Sequence, residues 1–298
     1  MTFLPAPVLG VISMALFILN LTLWIIPFYI IAIIKLLVPV PAIRRLCTRG
    51  LEIIGETWTS CNKFMVKILQ IDWDVRGADD LKYNDWYLIS SNHQSWNDVF
   101  MLQTALSKRV PFPRFFLKQQ LIWVPLLGLA WWALEMPFMK RHSRAEIEKN
   151  PALRMEDLET TRKACAVLRE HPSAVINFLE GTRFTPEKQA AQNSPFKHLL
   201  KPKAGGLAFV LASLGDKMRN YLDITIAYPA DFSFWDFMCG RMRKVIIKVN
   251  QRILPDWIFA GDYLNDEKFR KRFQVWVNEL WVNKDAELAG LLKEMNVA

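Results

Sequence analysis

Residues 1–34 contain no charged side chain, and residues 8–34 are almost continuously apolar. No other feature constrains the chain so strongly. A helix needs about 20 apolar residues to cross a bilayer, so this segment is long enough to span with tilt or a kink at Pro27, or to re-enter. It lacks the basic start and short apolar core of a cleaved signal, and is expected to be a retained anchor. Lys35, Arg44, Arg45 and Arg49 follow before the first acid, Glu52. By the positive-inside rule, what comes next lies on the cytoplasmic side. Residues 43–70 then carry apolar side chains at helical spacing with Arg44, Arg45, Arg49, Lys63 and Lys67 elsewhere. Such a helix lies in a membrane interface or covers a core, and the spacing leaves both open.

Charged residues make up 22% of the 298, so most of the chain is not within lipid, while twelve tryptophans suit a protein that meets a membrane interface. The formal charge of +9 calls for an anionic partner: phospholipid headgroups, a phosphorylated substrate or nucleic acid. No nucleic-acid motif accompanies it, and an anchor would confine the chain to membranes. The four cysteines are scattered without CxxC spacing or nearby histidines. Disulfide frameworks and structural zinc are therefore not expected, and reduced thiols facing a cytosol are.

After Ile71 short apolar runs alternate with helical ones, the pattern of an α/β domain. Strands are expected at 72–76, 87–90, 114–117, 137–140, 174–178, 223–227 and 244–249, and helices at 95–106, 156–170, 203–214 and 266–292. Residues 185–194 read as an exposed loop. The uncharged stretch 119–133 is too short to span and either packs in the domain or dips into a bilayer surface. Two regions follow: 1–70, an anchor with an interfacial helix, and 71–298, one catalytic domain.

Two clusters could carry chemistry. In "SSNHQSWND", His93 sits at a strand-to-helix turn five residues before Asp98. The carboxylate can take one ring nitrogen, fix the tautomer and stabilise the imidazolium, leaving the other nitrogen as a general base. The helix start adds N–H donors for a phosphate or oxyanion. Alone, a helix cap with a surface histidine is the more ordinary reading. In "NFLEGTRFTP", a strand ends in Glu180-Gly181-Thr182-Arg183. Gly181 allows a tight turn, and the guanidinium can grip phosphate bidentately. A salt-bridged surface turn is the simpler alternative.

Taken together, Asn92–Asp98 and Glu180–Arg183 resemble the signature blocks of the glycerophospholipid acyltransferases, the 1-acylglycerol-3-phosphate acyltransferases and their relatives. The stretch from Phe116 to Gly128 is similar to that family's second block, with Gln120 where glutamate is common, and Ala227-Tyr228-Pro229 is similar to its fourth. The form "FLEGTRFTPEK" is nearest the lysocardiolipin and broad lysophospholipid acyltransferase branch, and a bacterial inner-membrane member fits the length.

The resemblance implies an α/β fold, a single acyltransferase domain with a central mixed sheet flanked by helices, behind a membrane-anchoring helix or helical hairpin. It implies an enzyme in which His93 is the base and Asp98 its orienting acid. Arg183, with Lys118 and Arg141, would bind the acceptor phosphate. Glu180 would contact glycerol oxygens or position Arg183, with Gly181 and Thr182 in the same binding loop. The donor would be acyl-CoA or acyl-ACP as co-substrate, with no other cofactor and no metal. The acceptor would be a lysophospholipid such as lysophosphatidic acid, drawn from the phospholipid membrane. Ser95 is expected to be a first-turn residue and not a nucleophile. A membrane-bound lipid or thioester hydrolase using the same His–Asp pair is the alternative.

Overall fold

The structure is a computed structural model that describes residues 4–139, 146, 149–150 and 152–296. The uncharged N-terminal segment forms α1 (Ala6–Leu37), with Pro27 inside it, and α2 (Pro41–Ile68) returns beside it. Pro41 occupies the first turn of α2, where its missing N–H costs nothing. The two helices are antiparallel: Asn20 donates to Asn62 Oδ1 at 2.8 Å near one end, and Lys35 Nζ donates to Thr48 Oγ1 at 2.8 Å near the other.

By length and composition α1 could cross a membrane. Both of its ends, however, dock on the same domain. Leu9 is buried in the main core and Phe17 meets the Phe234 ring edge-on at 5.6 Å. At the other end Lys35 Nζ donates to Ala133 O and Glu135 Oε1, each at 2.8 Å. The N-terminal region is thus a helical hairpin laid along the domain. In α2 the side facing inward carries Cys47, Leu51, Ile54, Met65 and Val66, while Arg45, Arg49, Lys63 and Lys67 stand exposed.

The remaining elements, in order, are β1 (Asp72–Arg76), β2 (Tyr87–Ser91), α3 (Asn97–Leu106), β3 (Pro113–Phe115), β4 (Leu117–Lys118), α4 (Leu127–Ala133), β5 (Phe138–Met139), α5 (Leu153–Ala166), β6 (Ala174–Asn177), α6 (Pro186–Ala191), α7 (Ala204–Leu214), β7 (Asn220–Ala227), α8 (Phe234–Met238), β8 (Lys244–Ile253) and α9 (Glu267–Asn296). A six-stranded mixed sheet has the order β1-β8-β7-β2-β6-β3. Four strands, β7, β2, β6 and β3, run parallel; β8 pairs antiparallel with β7 and parallel with β1.

The central strands are buried throughout, as strands covered on both faces must be. Their side chains alternate between two cores. Ile89, Ile176, Ile224 and Ile247 face the core shared with α2, α3 and α8, while Leu88, Val175, Tyr221 and Ile246 face the one shared with α5, α7 and α9.

Two expectations need correction. The strand expected at 114–117 divides between sheets, because successive N–H groups find different partners. Phe116 donates to Ile176 O at 3.3 Å, whereas Leu117 turns away to Pro137 O at 3.0 Å. Residues 185–194 are not simply loop, since Thr185 Oγ1 accepts the Lys188 N–H at 3.3 Å and caps the short helix α6. The far end of the strand expected at 137–140 lies outside the described residues.

Candidate active site

The parallel strands deliver the two clusters to the same edge. β2 ends at Ser91 and the chain turns at Asn92-His93; β6, its neighbour, ends at Asn177 and runs into Phe178–Arg183; β7, on the other side, ends at Ala227 before Tyr228. This is the carboxyl edge where ligands bind in open α/β sheets. The Asn92 side chain pins the turn to β7 by donating to Ile226 O and accepting from Ile226 N, both at 2.9 Å.

His93 Nδ1 lies 2.8 Å from Asp98 Oδ2. Asp98 is buried, and three more donors converge on it. The N–H groups of Gln94 and Ser95 reach Oδ2 at 2.6 and 2.9 Å, and the Tyr228 hydroxyl reaches Oδ1 at 2.8 Å. A carboxyl that accepts from so many donors is in its acceptor-only, ionised form. Nδ1 therefore carries the proton, a tautomer assigned from this bonding pattern. Nε2 has no hydrogen-bond partner among the described residues, and the ring is partly exposed. The imidazole stacks on Phe178, centroids 4.0 Å apart and planes 16° from parallel. Burial, and then the anionic Asp98 alongside, push the Tyr228 phenol well above its ordinary value, so it stays a donor.

Three of the N–H groups around the start of α3, where a phosphate or oxyanion was expected, are already in use. Those of Gln94 and Ser95 hold Asp98, and Asn97 N donates to Ser95 Oγ at 3.3 Å. Ser95 Oγ itself donates to Phe232 O at 3.0 Å, which makes it a tie between turns.

Glu180 does not face outward. It is fully buried; Oε1 accepts the His93 N–H at 3.0 Å and Oε2 accepts the Leu200 N–H at 2.8 Å. Burial raises its pKa to about 7 against the pull of those two bonds. It therefore stitches the histidine turn to the loop before α7 and makes no pair with Arg183. Two further bonds tighten the assembly: Phe184 N donates to His93 O at 2.7 Å, and Lys203 N donates to Leu179 O at 2.8 Å.

Gly181 has φ +69°, and a β-carbon there would crowd Lys203 Nζ at 2.9 Å. Thr182 Oγ1 accepts from Lys188 Nζ at 3.0 Å. The Arg183 guanidinium lies over the exposed Trp96 indole, 4.7 Å from the ring centroid. Among the described residues it has no carboxylate partner. Lys118 stands exposed on the small β4–β5 sheet, opposite Met139. Arg141 lies outside the described residues.

His93, Asp98, Glu180 and Arg183 are thus brought together, with Tyr228, Asn92, Phe178 and Trp96 as partners that local spacing did not reveal. Among the described residues no three His, Cys, Asp or Glu side chains gather to hold a metal ion.

Comparison with known proteins agrees with this geometry. A family model described as Acyltransferase matches residues 72–228. The chain is 27% identical over 154 residues to mouse 1-acyl-sn-glycerol-3-phosphate acyltransferase delta, covering 47% of this chain and 38% of that protein. It is 26% identical over 181 residues to the human gamma protein of the same name, covering 57% and 43%. The match thus spans about two fifths of these curated relatives. The crystal structure of the 1-acyl-sn-glycerophosphate (LPA) acyltransferase from Thermotoga maritima aligns over 98% of both chains with TM-score 0.52 and 17% identity, a likeness of fold.

Proposed function

This chain belongs to the acyltransferase family, and from that premise we propose that it moves a fatty acyl chain from acyl-CoA or acyl-ACP to the free hydroxyl of a lysophospholipid such as lysophosphatidic acid. The observation that carries the reading is the His93 ring. Its Nδ1 is held 2.8 Å from a buried carboxylate, its other nitrogen has no partner among the described residues, and the loop that carries Arg183 is tied to its backbone through Phe184 N and His93 O at 2.7 Å.

In this mechanism His93 Nε2 takes the proton of the acceptor hydroxyl while the oxygen attacks the thioester carbonyl carbon. Asp98 stabilises the imidazolium that forms. The C–S bond then breaks, and the departing thiolate takes that proton from His93. The acyl group passes directly to the acceptor, without an acyl-enzyme. Arg183, with Lys118 and Arg141, meets the acceptor phosphate. Gly181 and Thr182 shape that loop. Glu180 acts as a positioning residue, since both of its oxygens are occupied by backbone N–H groups.

The lysophospholipid acceptor resides in a bilayer, and we assign the hairpin to holding the site there. The α1 side turned from the domain exposes Ile26, Ile30, Ile33 and Leu37, beside the basic exposed face of α2, which suits anionic headgroups. All four cysteines are free thiols, which fits the cytoplasmic face, such as that of a bacterial inner membrane.

The test uses full-length protein, labelled acyl-CoA and acyl-ACP offered separately, and a panel of lysophospholipids. An acylated lipid should form only when an acceptor is present. His93→Ala should lower the rate by roughly 10²- to 10⁴-fold with the fold intact. If no acceptor gains a chain, and His93→Ala and Asp98→Ala match the parent, the reading is wrong. Free fatty acid released equally without acceptor would establish the hydrolase instead.

A further inference from the structure

The stretch between β4 and α4 is apolar, exposed and sharply folded at once. From Gln119 to Leu134 there is no charged residue. The 3-10 turn Gln119–Trp123 buries none of its side chains, and at the tip Trp123 is 84% exposed, Leu126 67% and Leu127 51%. A soluble surface rarely keeps three large apolar side chains together in water.

The tip is also built with care. Leu126 has φ 64° and ψ −59°, and Leu127 N donates to Pro125 O at 2.7 Å. That is a γ-turn of the strained class, which a leucine adopts only when its surroundings impose it. Gly128 N donates to Val124 O at 2.8 Å, and a β-carbon at Gly128 would collide with the Ile122 carbonyl oxygen. The glycine therefore allows the close return that thrusts Leu126 outward, so the tip is a stiff knuckle.

The helix that follows the knuckle, α4, packs on the hairpin. Ala130, one helical turn after Leu127, packs in the cluster formed by Phe28, Ala32, Leu51 and Ile54 of α1 and α2. At the α4 end of that cluster Arg44 lies over the Trp132 ring, 5.8 Å from its centroid, and supplies positive charge at the margin. Apolar tip, tryptophan and basic margin are the chemistry of the bilayer interface.

We infer that the knuckle Trp123–Leu127 is a second point of insertion into a phospholipid bilayer, separate in the chain from the hairpin. It rests on the reading that the hairpin meets a membrane. One attachment leaves a domain free to rock; two fix its tilt. The stretch that carries the knuckle begins directly after Lys118, so insertion of its tip draws that lysine toward the headgroups from which the acceptor is taken.

The experiment places an environment-sensitive fluorophore on one introduced cysteine at a time in the full-length chain, with exposed Cys61 replaced by Ser and the buried Cys47, Cys165 and Cys239 retained. The positions are Leu126→Cys on the knuckle, Ile33→Cys on the hairpin and, on α9, the exposed Lys271→Cys. Each protein is reconstituted into phosphatidylglycerol and phosphatidylethanolamine vesicles with brominated acyl chains. The Leu126 and Ile33 probes should lose most of their emission, and the Lys271 probe should keep it. Quenching at Ile33 without quenching at Leu126 overturns the inference and leaves the hairpin on the membrane. Quenching at neither overturns the membrane reading as well. Spontaneous disulfide pairing of unlabelled Leu126→Cys chains, with the probe unquenched, shows a second copy over the knuckle and also overturns the inference.

Discussion

Asp98 receives four donors, and they are not equivalent. Three come from its own turn, whereas the Tyr228 hydroxyl arrives from the end of β7. Tyr228→Phe leaves one oxygen of a buried carboxylate short of its donor, and should lower kcat roughly tenfold with KM for either substrate little changed. Equal loss in kcat and gain in KM would mean that the hydroxyl touches substrate. Glu180 offers a pH test. Its pKa rises from 4.5 to about 7 through burial. Between those values the unfolded chain has lost its proton while the folded one keeps it, so this group makes the protein less stable as pH rises across the window. In Glu180→Gln the dependence is absent. The stability of parent relative to variant should therefore fall by about 3 kcal/mol from pH 4.5 to 7; parallel melting curves would contradict the burial. The sequence showed His93 and Asp98 because their bond closes within one turn. It could not show that Glu180 faces inward, because its partners, His93 N and Leu200 N, lie 87 and 20 residues away.

At the scale of elements, burial on both faces made the strands legible, because it writes them as short apolar runs. The strand expected at 72–76 is β1, and the start expected for α7 differs by one residue. Short elements were missed for two different reasons. The capping box that starts α8 is local, Ser233 to Asp236, but marks only one turn and a half of helix, whereas β4 exists because Leu117 finds Pro137, 20 residues on. Polar pairing beneath the sheet was equally invisible. Lys284 on α9 is fully buried, donates to Ile224 O at 2.7 Å and pairs with buried Asp223 on β7. Removing one partner of such a pair strands the other charge. Lys284→Met should cost about 3–5 kcal/mol in denaturant unfolding. The double variant Lys284→Met with Asp223→Asn should recover much of that loss. Additive losses would show that the two side chains act independently.

For the whole molecule, the decisive joint is where the hairpin meets the sheet. Glu135, just past α4, accepts from Lys35 of α1 at 2.8 Å and from Thr48 of α2 at 2.7 Å. His171, before β6, lies 3.4 Å from its second oxygen, and buried Arg114 of β3 lies 3.6 Å away. Burial alone would raise the Glu135 pKa, but His171 beside its second oxygen and the charges of Lys35 and Arg114 hold it at about 2. A depressed carboxylate stabilises the folded state above its unfolded pKa and loses that contribution as pH falls. Between about pH 4.5 and 2 this joint should therefore weaken. His171 works in the opposite sense: the Glu135 carboxylate beside it raises its pKa, so its contribution is complete below about 6.5 and fades as pH rises through the folded value. Glu135→Gln removes the charge but keeps the shape, leaving Lys35 buried and unpaired. Amide exchange along α1 should then speed up by roughly 10²-fold or more, as expected for breaking a buried pair. Exchange in β2 and β6, which belong to the sheet itself, should change much less. Uniform acceleration everywhere would mean that hairpin and domain open as one unit, and that Glu135 holds the whole fold instead of the joint.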